Sequence, residues 1–213
     1  MIKNVLFDLD GTIIDSSKCI FSVYTQLFGI LNLPLPPKDE MRRFIGPPIE
    51  TMLGNYLEGE ELQSACNKFR AIYDTVDLRA TNFLYEGIDK AIEEVGKKRR
   101  VYLATSKSEP KALEILSNLN IRRLFDGVYG SRYDLGRSKK WEILEAIVSE
   151  ENLDKDECIL IGDTAFDVEG AEKSGIRCAI VRYGFGQDKD FVGKDIAFFA
   201  DNPFELIQKI EEL

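Results

Sequence analysis

Val5-Leu6-Phe7 is a short apolar run of β-prone residues that stops at Asp8-Leu9-Asp10-Gly11-Thr12. A run of this length bounded by a turn signal reads as a buried strand. Between Ser16-Ser17, which suit a helix N-cap, and Leu78 the spacing becomes helical. Ile20, Val23, Tyr24 and Leu27 recur at three and four, as do Leu62, Cys66 and Phe69, and Tyr73 with Val76. The turn-rich stretches Leu33-Pro34-Leu35-Pro36-Pro37 and Gly46-Pro47-Pro48 divide these helices. From Gly87 onward helix and strand patterns alternate. Strands are predicted at Val101–Ala104, Gly127–Tyr129, Cys158–Ile161, Cys178–Val181 and Ile196–Phe199. Helices are predicted near Ile88–Val95, Lys111–Leu119, Lys139–Val148, Val168–Ser174 and Pro203–Ile210. The pattern predicts an α/β fold, a doubly wound parallel sheet built from residues 1–14 and 82–213 with an all-helical insertion at 15–81. The two connections of the insertion, near Asp15 and from Arg79 to Glu86, are placed to act as a hinge.

The chain has 213 residues, enough for a core domain and a small second one. Its net charge of −9 disfavours binding to a phosphate backbone, so nucleic acid is not an expected partner. Cys19, Cys66, Cys158 and Cys178 form no C-x-x-C pair and read as buried free thiols of a reducing compartment. The N-terminus carries no signal-like pattern and no apolar run approaches ~18 residues, so a cytoplasmic protein without a membrane partner is expected. There is no histidine, which removes imidazole from any acid–base, metal-binding or phosphoryl-carrying role.

The candidate chemistry lies where apolar runs break. Asp8 and Asp10 follow the first strand, and in an open parallel sheet ligands sit beyond the carboxyl ends of strands. Two carboxylates about 4 Å apart repel by roughly 4 kcal/mol at an effective dielectric near 20, so a proton or a cation must intervene. A hard divalent cation such as Mg²⁺ suits them. A turn cap and a solvated side chain would equally explain one Asp each. Val101–Ala104 runs into Thr105-Ser106-Lys107, whose hydroxyls and backbone N–H groups suit a phosphate oxygen or a simple turn. Lys139 and Lys140 stand at a predicted helix start, which favours anions or is merely solvated. Cys158–Ile161 breaks at Gly162-Asp163, with Asp167 four residues on, so a second strand also ends in acid.

Phe7-Asp8-Leu9-Asp10-Gly11-Thr12 resembles the first motif of the haloacid dehalogenase-like hydrolases. Thr105, the Lys140-x-Glu142-Ile143-Leu144 frame and Gly162-Asp163-x-x-x-Asp167 resemble its later motifs in the same order. The resemblance implies a Rossmann-like core with a helical cap at 15–81 and a Mg²⁺-dependent phosphatase. It implies Asp8 as nucleophile and Asp10 as acid and base, which argues against a dehalogenase. Thr105 and Ser106 would bind phosphate, and Lys140 rather than Lys139 would hold the phosphoryl oxygens and the nucleophile. Mg²⁺ would lie on the Asp8 and Asp163 side chains and the Asp10 carbonyl, with Asp167 and Gly162 supporting. A sugar phosphomutase of this fold uses a cap histidine, which this chain lacks. A non-catalytic binding module is the remaining alternative.

The expected partner is a small phosphomonoester, and the expected assembly is a monomer or homodimer. Arg42-Arg43-Phe44-Ile45-Gly46-Pro47-Pro48, Asn82–Gly87 and Ala104–Lys107 resemble the phosphoglycolate-phosphatase-like branch. Gly130-Ser131 and Gly136–Lys140 resemble members assigned as 5′-nucleotidases. Arg43, Gly46 and Lys107 are therefore substrate candidates. Cations from Arg43 or Lys107 suit a carboxylate, whereas Phe44 or Phe185 suit a nucleoside. The balance leans to 2-phosphoglycolate, with nucleoside 5′-monophosphates next.

Overall fold

The structure, a computed structural model, describes Met1–Leu213. Its strands are β1 (Asn4–Phe7), β2 (Ile14–Asp15), β3 (Phe83–Leu84), β4 (Arg100–Ser108), β5 (Gly127–Ser131), β6 (Cys158–Gly162), β7 (Arg177–Val181) and β8 (Phe199–Ala200). Helices α1 (Ser17–Ile30), α2 (Lys38–Met41), α3 (Ile49–Leu53), α4 (Gly59–Tyr73) and α5 (Leu78–Thr81) lie between β2 and β3. Helices α6 (Ile88–Gly96), α7 (Glu109–Asn118), α8 (Lys140–Glu150), α9 (Ala165–Ser174) and α10 (Pro203–Glu211) alternate with the later strands.

Six strands form one sheet in the order β5-β4-β1-β6-β7-β8, every neighbour parallel. The chain begins at the centre, winds to one edge through β4 and β5, and returns to the other side of β1 with β6. Strand order therefore reverses between β1 and β6, and a crevice opens at their carboxyl ends. Phe7 lies opposite Leu103 on one side and Ile161 on the other, which sets the residues after β1 and β6 side by side.

Both faces of the sheet are covered, which is why its strands read as unbroken apolar runs. Val5, Phe7, Leu103, Ile159 and Ile161 share one apolar cluster with residues of α6, α7 and α10. Leu6, Tyr102, Leu160 and Ile180 face the other way, onto α8 and α9. The first cluster continues into the insertion, where Tyr24 meets Phe44 at 4.9 Å and Phe69 at 5.0 Å between ring centroids. Each such buried side chain contributes about 1.5–3 kcal/mol relative to exposure.

Three features depart from the sequence reading. The strand expected at Ile196–Phe199 is only Phe199–Ala200, because an edge segment pairing with just Ile180 and Val181 leaves little periodicity to read. β4 runs on past Ala104 to Ser108 through polar residues, with its pairing to β5 shifted between those two positions. A second, two-stranded sheet was not legible at all: Ile14 pairs with Leu84 and Asp15 with Phe83, antiparallel, where the insertion leaves and rejoins the core. All four cysteines are free and buried, and no helix is long and apolar enough to cross a membrane.

Candidate active site

The crevice holds three buried carboxylates and one ammonium. Ligand atoms of Asp8, Asp163 and Asp167 lie within 4.8 Å of one another. Lys140 Nζ stands 2.7 Å from Asp8 Oδ1 and 2.9 Å from Asp167 Oδ1, and donates to the Ala104 carbonyl at 2.9 Å. Lys140 is the first residue of α8, so the helix start aims it inward, while Lys139 is exposed. Asp167 has both oxygens engaged, since Oδ2 accepts from the Asp163 and Thr164 N–H groups and from Thr164 Oγ1. A Cβ on Gly162 would stand 2.3 Å from Asp167 Cγ, which explains the small residue before Asp163. Asp163 accepts from Phe185 N–H at 2.7 Å and from Thr12 Oγ1 at 3.4 Å.

Burial pushes the Asp8 carboxyl up to about 7, with Asp167 and Asp10 adding to the effect and Lys140 opposing it. Burial likewise raises Asp163, reinforced by Asp167 and Asp8. For Lys140 burial acts against the charge, but Asp167 and Asp8 outweigh it and raise its pKa. Ionised, the three carboxylates exceed their one ammonium by two charges, an excess that fits a divalent cation bound by hard oxygen ligands.

Asp10 stands apart from that cluster. Its Oδ2 is 3.1 Å from Lys107 Nζ, and its Oδ1 is buried with no partner. Thr105 is buried at the crevice end of β4, where its Oγ1 accepts from Lys107 N–H at 3.2 Å and keeps its own proton free to donate. A cavity of about 380 Å³ opens from Asp10, Ser106 and Lys107 toward Tyr24, Phe44 and Phe69 of the insertion. That size and mixed lining suit a small ligand.

Of the substrate candidates, Gly46 and Lys107 border this cavity. Arg43 does not: it is exposed, on the short turn that buries Phe44. Phe185 also lies off the cavity, packed beside Gly11 and Asp163. Arg70, Tyr73 and Tyr133 border it and were not singled out from sequence. Arg70 and Tyr73 sat in a helical pattern that reads equally well as solvated and core positions, and Tyr133 sits in a short turn without periodicity.

A model of the haloacid dehalogenase-like hydrolases matches residues 5–181. The chain belongs to this family. Among haloacid dehalogenase-like hydrolases of known structure, one from Streptococcus pneumoniae superposes with a TM-score of 0.91 at 30% identity, covering 98% of each chain. A 5′-nucleotidase of Pseudomonas aeruginosa is 32% identical over 211 residues, 98% of this chain and 95% of that one. Tyrosine-protein kinase PtkA of Mycobacterium tuberculosis is 31% identical over 191 residues, 89% of this chain and 65% of that one. Family membership together with the buried aspartate cluster makes this protein a hydrolase of the phosphatase type.

Proposed function

We propose that the protein is a Mg²⁺-dependent phosphatase acting on nucleoside 5′-monophosphates through an aspartyl-phosphate. Asp8 forms a bond to phosphorus while the ester oxygen leaves with a proton from Asp10. Asp10 then takes a proton from water, which attacks phosphorus, frees inorganic phosphate and restores Asp8. Lys140 orients Asp8 and pairs with the phosphoryl oxygens, and Thr105 and Ser106 donate to them. Asp8, Asp163 and the Asp10 carbonyl would hold Mg²⁺, which would supply neutralisation of phosphoryl charge. Residues 15–81 act as a cap that keeps bulk water from the reacting atoms.

The cavity beside Asp10 carries the choice of substrate. Its wall is aromatic and apolar, through Ile20, Tyr24, Phe44 and Phe69, and its cations already have acidic partners. Lys107 pairs with Asp10, Lys111 with Asp74 at 3.1 Å, and Arg70 with Glu50. A 2-phosphoglycolate carboxylate would have to break one of these pairs, whereas a nucleoside offers flat apolar surface to the rings. This reverses the order favoured from sequence, and the likeness to a 5′-nucleotidase supports it. The test is kcat/KM with Mg²⁺ for nucleoside 5′-monophosphates, 2-phosphoglycolate, a hexose phosphate and phosphotyrosine, with tyrosine phosphorylation from a nucleoside triphosphate as a further arm. A nucleotide preference of at least about tenfold, or ~1.4 kcal/mol, is expected. Preference for any other arm overturns the substrate assignment.

A further inference from the structure

Lys107, a substrate candidate by sequence, is engaged elsewhere in the structure. Its side chain and that of Asp10 are 8% and 9% exposed, and the two meet through Asp10 Oδ2 alone. Tyr73, the last residue of α4, places its ring 5.0 Å from the same ammonium. Asp10 Oδ1 has no partner. We propose that Lys107 is a positioning residue, which holds Asp10 by Oδ2 so that Oδ1 is the oxygen that exchanges protons with the leaving group and then with water.

The proposal rests on the reading of Asp10 as acid and base given above. A carboxyl group turns easily about its last torsion, which has a broad and nearly two-fold profile. Without a tether the two oxygens of Asp10 would interchange, and the proton would be presented along more than one direction. The single ion pair removes that ambiguity, and the Tyr73 face gives Lys107 a second, weaker seat contributed by the insertion. Lys107 is well placed for this because β4 continues to Ser108, so its backbone is fixed in a strand rather than in a free loop. Misplacing a reacting group by about 1 Å costs on the order of 100-fold in rate.

The experiment uses the full-length protein with Mg²⁺ and two esters, p-nitrophenyl phosphate, whose leaving group needs little protonation, and an alkyl phosphate, which needs it. The rate of leaving-group release in the first turnover is measured for wild type, Lys107→Met, Lys107→Arg and Tyr73→Leu. Lys107→Met is expected to slow alkyl ester cleavage by about 10–100-fold and aryl ester cleavage far less, with KM little changed. Lys107→Arg should recover part of the loss, Tyr73→Leu should move in the direction of Lys107→Met, and Lys107→Met should add nothing in an Asp10→Asn background. Equal losses on both esters, or a loss confined to KM, overturn the positioning role while leaving the phosphatase reading intact. Absence of wild-type turnover with both esters overturns that reading and this proposal with it.

Discussion

Gly11 approaches Asp163 so closely that a Cβ at Gly11 would stand 2.0 Å from Asp163 Oδ2, and its φ of +88° lies in the left-handed region. The turn after β1 is thus moulded onto the carboxylate that follows β6. Gly11→Ala is expected to combine backbone strain with this clash, at a cost of about 2–4 kcal/mol. Denaturant unfolding should show the loss, and Mg²⁺ titration should show weakened binding.

Asp8→Asn should abolish turnover at any Mg²⁺ concentration, because the amide is not a usable nucleophile. Phosphate release from a reactive aryl ester checks it, and substantial residual turnover would rule out the covalent route.

The same substitution has a pH-dependent effect on stability. Burial holds Asp8 at about 7 in the folded protein, above its unfolded value of about 4. Its contribution is therefore fully present below pH ~4 and lost as pH rises through about 7. In chelator, Asp8→Asn escapes that loss. Its melting temperature should exceed the wild type's by several degrees at pH 8, with the gap closing toward pH 4. Adding Mg²⁺ at pH 8 should stabilise the wild type more than the variant.

Arg43→Ala should leave kcat/KM within about twofold on every substrate, as expected for an exposed side chain off the cavity. Gly46→Val should not be neutral. Gly46 has a φ of +103°, and a Cβ there would meet Thr164 Cγ2 at 3.3 Å. A fall in both melting temperature and kcat/KM is expected, measured on the same preparation.

Arg137 lies in the segment that resembled nucleotidases, yet it serves the framework. It is buried, stands 2.7 Å from Glu109 and 3.3 Å from Glu150, and donates to the Gly130 carbonyl at 3.2 Å. Arg137→Ala should destabilise by about 3 kcal/mol, since Glu109 keeps only its pair with Arg132 and a hydrogen bond from the Gly130 N–H, and the Gly130 carbonyl loses that donor. Urea unfolding measures that loss, and kcat/KM well below the melting temperature should change little.

The sheet was legible because strands buried on both faces are apolar without interruption, and because the aspartates break those runs where the strands end. That logic marked Asp8, Asp10 and Asp163, with Asp167 in support; the fold brings Asp8, Asp163 and Asp167 together, while the Asp10 carboxylate pairs with Lys107 instead. Two adjacent lysines were separated by resemblance, and the geometry gives the reason: α8 begins between them, so Lys140 points in and Lys139 out. The cavity wall was not legible to the same degree. Arg70, Tyr73 and Tyr133 acquire meaning only when the insertion lies against the sheet, a relationship that carries no local period. The placement of Arg43, exposed and off the cavity, was not legible for the same reason, since a charge on a short turn gives no sign of which way it faces.

The pairing of β2 with β3 gives the molecule a natural splice point. The chain leaves the sheet at Asp15 and returns at Phe83, directly alongside, so everything between could be exchanged for another segment without rethreading a single core strand. What limits the exchange is wetting, not topology: Ile13 and Ile14 are fully buried in the apolar cluster that the core shares with the insertion. A graft must bring an apolar face of its own to cover them, whereas a bare turn joining Asp15 to Phe83 would leave a sticky patch and an aggregating protein.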